Sequence, residues 1–172
     1  AIHVDDCYMI GHRKALDQTV KDIEAAKLTV KVEHNTKDYL SCEIVFDKKK
    51  KKAWLGQPHL IKRLESKFES LLKGSHVKYK TPGTPGYNIV RPAMGDVNLS
   101  EEDQKIYRSG VGTLLQFIKH SRPDISNTVR ELSKCMDKAS PSAFREMVRV
   151  IKFLLGTKDY GLRIQPGEVK DH

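Results

Sequence analysis

Asp5 and Asp6 stand side by side between two short apolar runs, Ile2-His3-Val4 and Cys7-Tyr8-Met9-Ile10. Runs rich in Ile, Val and Tyr around an Asp pair predict a β-hairpin with the acids at its tip. Two carboxylates held on a rigid turn form a hard, oxygen-rich site, which suits Mg²⁺. Two such ions a few ångströms apart can clamp the attacking and leaving oxygens of a phosphoryl transfer. Asp is also a common turn residue, and taken alone such a pair is more often a plain turn.

A second set of side chains could handle phosphate. Lys48, Lys49, Lys50, Lys51 and Lys52 form one unbroken run. Like charges repel, so the run must sit in solvent, either as a solvated loop or against phosphates. Arg130, Lys134 and Lys138 fall at i, i+4 and i+8, and Arg145, Arg149 and Lys152 at i, i+4 and i+7. On helices each set makes one stripe beside an apolar stripe, and such stripes serve as solvated faces or as binding faces. Arg108, Gly112 and Gln116 share a further face. A glycine there would let a nucleic-acid backbone approach the helix, or would let another helix pack closely.

The elements that must position these groups follow from pattern and punctuation. A helix is predicted from about His12 to Lys27, with Leu16, Val20 and Ile23 on one stripe. Leu28 to Val32 alternates as a strand, His34 to Asp38 is a turn, and Tyr39 to Phe46 is a second strand. Ala53-Trp54-Leu55 resumes an apolar strand, which puts the lysine run at a hairpin tip. Pro58 opens a helix carrying Ile61, Leu64, Phe68 and Leu71, and Gly74 stops it. Thr81-Pro82-Gly83-Thr84-Pro85-Gly86 breaks both helix and strand, so residues 75–99 are a connector and the best subdomain boundary.

Beyond it, Ser100-Glu101-Glu102-Asp103 resembles a capping box with Asp in the last place. A helix is expected to about His120, with Val111, Leu114, Leu115 and Ile118 inward and a break near Ser109-Gly110. Pro123 opens another helix with Ile125, Val129, Leu132 and Met136. Ser140-Pro141 opens the last, with Phe144, Met147, Val148, Ile151 and Leu155 inward, and Gly156 ends it. Gly161 to Ile164 begins a strand. Hairpins first and helices second give an α+β chain.

At 172 residues the chain suits one domain or two small subdomains. A net charge of +9 and a pI near 9.4 favour a polyanionic partner. No apolar segment approaches the roughly 20 residues of a membrane span, and no signal peptide is visible. Cys7, Cys42 and Cys135 are far apart, without a CxxC, and the seven histidines lack ligand spacing. A disulfide framework and a zinc site are therefore not expected, and a reducing, intracellular setting fits. Ala1 falls inside a predicted strand, from which an excised or truncated piece of a longer protein is expected.

Several segments, in order, resemble the reverse transcriptase of copia-type long-terminal-repeat retrotransposons. They are the x-Asp-Asp hairpin, a helix, the strands at Tyr39–Phe46 and Trp54-Leu55, and the Thr-Pro linker. Tyr107-Arg108-Ser109-Gly110-Val111-Gly112-Thr113-Leu114-Leu115 follows, then Arg122-Pro123-Asp124-Ile125, then Gly156-Thr157-Lys158. The resemblance covers about Ile2 to Ile164. It implies the C-terminal part of a polymerase palm over residues 1–74, with a linker over 75–99. It implies a helical thumb over 100–156 and a tail toward an RNase H domain over 157–172.

It further implies Asp5 and Asp6 as catalytic ligands of Mg²⁺ or Mn²⁺, and Trp54, Leu55 and Gly56 as part of a primer grip. The helix bearing Gly112 would lie along the minor groove of a primer–template duplex, either an RNA–DNA hybrid or DNA. His3 stands where the family usually has Tyr or Phe. The family's third metal-binding Asp, with the fingers, lies upstream of Ala1, and the RNase H portion lies beyond the chain. The chain by itself is therefore expected not to extend a primer, and the missing polyprotein portions are expected partners. The setting implied is the cytoplasmic retrotransposon particle, and the nucleus. The alternative is a domesticated relic, non-catalytic, acting as a nucleic-acid-binding or interaction module.

Overall fold

A computed structural model describes residues 2–3, 6–34, 36–47, 49, 51–73, 78–93 and 95–165, with only the backbone of Ile2, His3 and Asp6. The chain forms two compact units, Ala1–Tyr39 and Leu40–His172. The boundary therefore falls between Tyr39 and Leu40. The connector at 75–99, expected to divide the chain, lies within the second unit.

In the first unit, β1 (Ile2–His3) and β2 (Asp6–Cys7) pair antiparallel, with Ile2 opposite Cys7 and His3 opposite Asp6. Helix α1 (Arg13–Ala25) follows, and then β3 (Asp38–Tyr39). Leu16, Val20 and Ile23 share the stripe expected of them but are only half-buried, and α1 buries no residue fully. The strand expected at Leu28 to Val32 is absent, and Leu28, Val30 and Val32 are exposed. Alternation alone does not make a strand. Backbone N–H and C=O groups need a ladder partner, and no described strand pairs with this segment.

The second unit begins with the hairpin of β4 (Cys42–Asp47) and β5 (Lys52–Gly56), in register from Glu43↔Gly56 to Asp47↔Lys52. The C-terminal β6 (Leu162–Ile164) adds antiparallel to β5. Cys42 and Ile44 are the buried residues of β4, whereas Val45 and Phe46 are exposed. The helix expected from Pro58 to Gly74 is two pieces, α2 (Pro58–Lys67) and α3 (Glu69–Leu72). They meet at Phe68, whose ring is buried.

Three longer helical stretches complete the unit. These are α4 (Glu101–His120), a 3₁₀ turn at Pro123–Ile125 running into α5 (Ser126–Ser133), and α6 (Pro141–Gly156). Ser100 Oγ accepts from Asp103 N at 3.1 Å and Ser140 Oγ from Ala143 N at 3.2 Å, so both predicted caps satisfy otherwise unpaired helix N–H groups. One apolar cluster joins Leu60, Ile61, Leu64 and Phe68 to residues of α4, α5 and α6, among them Phe117, Val129 and Met147. Helices on both sides of the connector thus share one core. Among the described residues no helix is long and apolar enough to cross a membrane.

Helix α4 runs unbroken through Ser109-Gly110. Gly110 is buried, and a Cβ there would overlap the Sδ of Met147 on α6. The glycine serves close helix packing rather than a break. Tyr107, one turn earlier, is fully buried and donates its hydroxyl to the Leu132 carbonyl at 2.8 Å. Burial pushes its phenol well above the ordinary range, and the nearby Cys135 adds to the effect.

An acid whose folded pKa is raised contributes stability that is complete below its unfolded pKa, about 10. That contribution is lost as pH rises toward the folded pKa, because the unfolded chain releases the proton first. We expect stability, followed by urea denaturation, to fall above about pH 10. Tyr107→Phe should remove that part of the fall, at a cost of about 1 kcal/mol near neutrality for the lost hydrogen bond.

Candidate nucleic-acid interface

Helix α4 turns Tyr107, Gly110, Val111, Leu114 and Phe117 into the core. At 100° per residue, Lys105, Arg108, Ser109, Gly112, Gln116 and Lys119 lie together on the opposite side. Lys105, Arg108, Gln116 and Lys119 are exposed, and Ser109 and Gly112 are half-buried. Among the described residues nothing lies within 4 Å of the position a Cβ would take at Gly112. Close helix packing at Gly112 is therefore not what the structure has, and the backbone there is open. Arg108, Gly112 and Gln116 share the face the spacing predicts. Lys105 and Lys119 extend it and were not singled out from sequence, although a step of three residues back from Arg108 and forward from Gln116 reaches them.

Lys105 also rims a shallow groove of about 390 Å³ between α2–α3 and α4, lined by Lys67, Phe68, Ser70, Leu71, Lys105, Ile106 and Ser109. Lys67 was likewise missed, because its place opposite α4 is set by tertiary packing.

Arg108, although exposed, is tied to its own chain. Its Nε donates to the Met136 carbonyl at 2.7 Å and its Nη2 to the Asp137 carbonyl at 3.2 Å. Gln104 grips the same turn, donating to the Met136 carbonyl and accepting from Ala139 N, each at 2.9 Å. These bonds satisfy carbonyls left open past the end of α5.

The stripe of Arg130, Lys134 and Lys138 is cut by the end of α5 at Ser133. Arg130 and Lys134 both reach Glu131, and the Lys134 hydrogen bond holds the Glu131 carboxyl below the ordinary range. On α6, Arg145 is exposed and Lys152 half-buried. Arg149 lies under the connector. Its Nη2 donates to the Thr81 carbonyl at 3.3 Å and to Thr81 Oγ1 at 3.2 Å, and its guanidinium stacks 4.1 Å from the Tyr79 ring centre. The structure therefore does not bring the predicted basic residues onto one free surface. It leaves the outer face of α4 open and engages Arg108 and Arg149 internally.

Of the lysine run, Lys52 opens β5 and pairs with Asp47, and Lys49 and Lys51 lie between these two at the hairpin end. Lys49 and Lys51 are exposed, and Lys49 N donates to Asp47 Oδ1 at 3.1 Å. Lys48 and Lys50 lie outside the described residues. Trp54 and Gly56 sit on one face of β5, with the indole covering both Gly56 and Gly161. Leu55 pairs with Ile44 on one side and Leu162 on the other. Asp5 and the Asp6 side chain lie outside the described residues. Among the described residues no group of three or more His, Cys, Asp or Glu side chains is placed to hold a metal ion.

Arg122 was noted in sequence only as part of a motif. Its side chain is 3% exposed and grips Asp124 in a two-pronged pair at 2.9 and 2.8 Å. It also donates to the Thr157 carbonyl and hydroxyl, and lies over the rings of Phe153 and Tyr160. The Arg-Pro-Asp stretch is thus a clasp between the start of α5 and the end of α6.

No family profile and no solved structure matches the chain. Curated proteins do. The chain is 24% identical over 161 residues to the retrovirus-related Pol polyprotein from transposon TNT 1-94 of Nicotiana tabacum, covering 91% of this chain and 12% of that protein. It is 35% and 34% identical over 65 residues, or 38% of its length, to the Pol polyproteins from transposons RE2 and RE1 of Arabidopsis thaliana. The chain spans only 12% of the first of these relatives and 4% of each of the others. Its relatives are thus retrotransposon Pol polyproteins, and the chain is similar to a portion of them.

Proposed function

We propose that this chain is the C-terminal palm and thumb of a reverse transcriptase, and that its second unit grips a primer–template duplex. The observation that carries the reading is the outer face of α4, where an open Gly112 backbone is flanked by Lys105, Gln116 and Lys119. A bare stretch of helix with polar and cationic side chains on either side suits a duplex read by shape. RNA–DNA hybrids present a wide, shallow minor groove to such a surface. Lys and Arg on phosphates would supply affinity without sequence preference. The relatives' being Pol polyproteins supports the same reading.

In the complete protein, Asp5 and Asp6 would hold Mg²⁺ or Mn²⁺ with a further carboxylate from elsewhere in the polyprotein. Bound metal would activate the primer 3′-hydroxyl and neutralise charge on the departing pyrophosphate. Trp54, Leu55 and Gly56 would form the wall that steadies the primer end.

The test is fluorescence anisotropy with a labelled RNA–DNA hybrid. If about four phosphates are neutralised, affinity drops about 10²-fold between 50 and 200 mM salt. The double variant Lys105→Glu and Lys119→Glu should weaken binding and flatten the salt slope by about 2. Affinity indifferent to salt, or untouched by the double variant, overturns the reading.

A further inference from the structure

The repeat Thr81-Pro82-Gly83-Thr84-Pro85-Gly86 places two threonines, each followed by proline, in one exposed irregular segment. Proline after an acceptor hydroxyl is the feature that proline-directed protein kinases read. Its ring fixes the backbone, and it has no N–H of its own to satisfy. The two threonines differ in what they touch. Thr81 Oγ1 donates to the Gly83 carbonyl at 2.9 Å and accepts from Arg149 Nη2 at 3.2 Å. Thr84 faces an anion. Its Oγ1 donates to Glu146 Oε1 at 2.5 Å and its backbone N to Glu146 Oε2 at 3.1 Å.

These contacts tie the connector down on α6. Glu146 holds Thr84, and one turn further along Arg149 holds Thr81 and Tyr79. Between them Gly83 lies against α5, where a Cβ would stand 2.8 Å from Thr128 Oγ1. The strap is close-fitting but held by few bonds. Arg149 Nε is buried beneath it without an acceptor among the described residues.

We propose that Thr84 is a phosphorylation site, and that a phosphate there releases the connector from α6. The γ-phosphoryl group of ATP passes to Thr84 from a proline-directed kinase. The bond from Oγ1 to the γ-phosphorus forms, the bond from that phosphorus to the β–γ bridging oxygen breaks, ADP leaves, and the hydroxyl proton goes to the kinase's base. Thr84 then has no hydroxyl hydrogen to give Glu146. It carries instead a group of charge near −2 against a carboxylate, and like charges at that distance repel. Thr81 has the opposite character, since a phosphate there would face the Arg149 guanidinium. The two adjacent Thr-Pro steps therefore carry opposite signs, and Thr84 is the one that opens the strap.

The full chain is incubated with a purified proline-directed kinase and ATP. The modified residue is located by mass spectrometry, and amide hydrogen exchange is followed without nucleic acid. The expected result is phosphate on Thr84 and exchange across Tyr79–Tyr87 faster by about tenfold or more, with α4 and the α6 core unchanged. In Glu146→Gln the amide can donate to the phosphate, so modification should still occur while the acceleration falls below half. No phosphate on Thr84, or phosphate there with exchange unchanged or slowed, overturns the proposal. This outcome is independent of whether the chain binds a duplex.

Discussion

Arg122→Ala lowers the stability of the second unit by about 3 kcal/mol, in the range for unmet buried hydrogen bonds together with the cavity left by a large side chain. Asp124 contributes little of this loss, because its side chain is 40% exposed and water can replace the guanidinium. The larger part comes from the Thr157 hydroxyl, which loses its donor, from the Thr157 carbonyl, which keeps only Tyr160 N, and from the space opened beside Phe153 and Tyr160. Arg122→Lys keeps the charge but not the planar fork, so it should recover less than half. Asp124→Asn is the sharper comparison. Arg122 cannot shed its proton, so losing the carboxylate strands a buried cation, and the cost should be at least 1 kcal/mol. Urea denaturation followed by circular dichroism reads these values, and a loss below about 1 kcal/mol for Arg122→Ala would contradict the clasp.

Two glycines two residues apart on α4 should respond with opposite signs. In an exposed helix interior, Gly→Ala gains up to about 1 kcal/mol from backbone entropy. Gly112→Ala should show that gain, because its Cβ enters open space. Gly110→Ala has the same intrinsic gain but drives a methyl into fully buried Met147, and should end net destabilised. Gly110→Val adds two more carbons and a restricted side chain, so about 2–3 kcal/mol should be lost. For a chain of this length that is a fall of roughly 5–10 °C in Tm. If both Ala variants raise Tm, the packing of α4 on α6 is not as described. On the duplex-binding reading, Gly112→Ala also weakens hybrid binding while stabilising the fold, a combination that general unfolding cannot produce.

Local chemistry was legible from sequence wherever it was local. Ser100 and Ser140-Pro141 announced their helices because a cap acts within three residues. The lysine run marked a hairpin end because charge repulsion needs no tertiary knowledge. What stayed hidden depends on distant partners. The alternating Leu28–Val32 segment has the pattern of a strand without a ladder to join. Arg149 has the spacing of a basic stripe and Arg108 shares a face with Gly112 and Gln116, yet Arg108 closes a turn 28 residues away and Arg149 an overlying strap 68 residues away. Gly110 and Gly112 could not be told apart without α6. Of the candidate site, the face of α4 was visible in its spacing, whereas the groove wall at Lys67 was not.

Trp54 is the sole tryptophan of the chain, and its ring spans the seam where Gly161 brings β6 against β5. Intrinsic fluorescence is therefore a private optical reporter for that seam. A red shift in emission ahead of the loss of helical ellipticity would time the peeling of the C-terminal strand separately from the melting of the bundle.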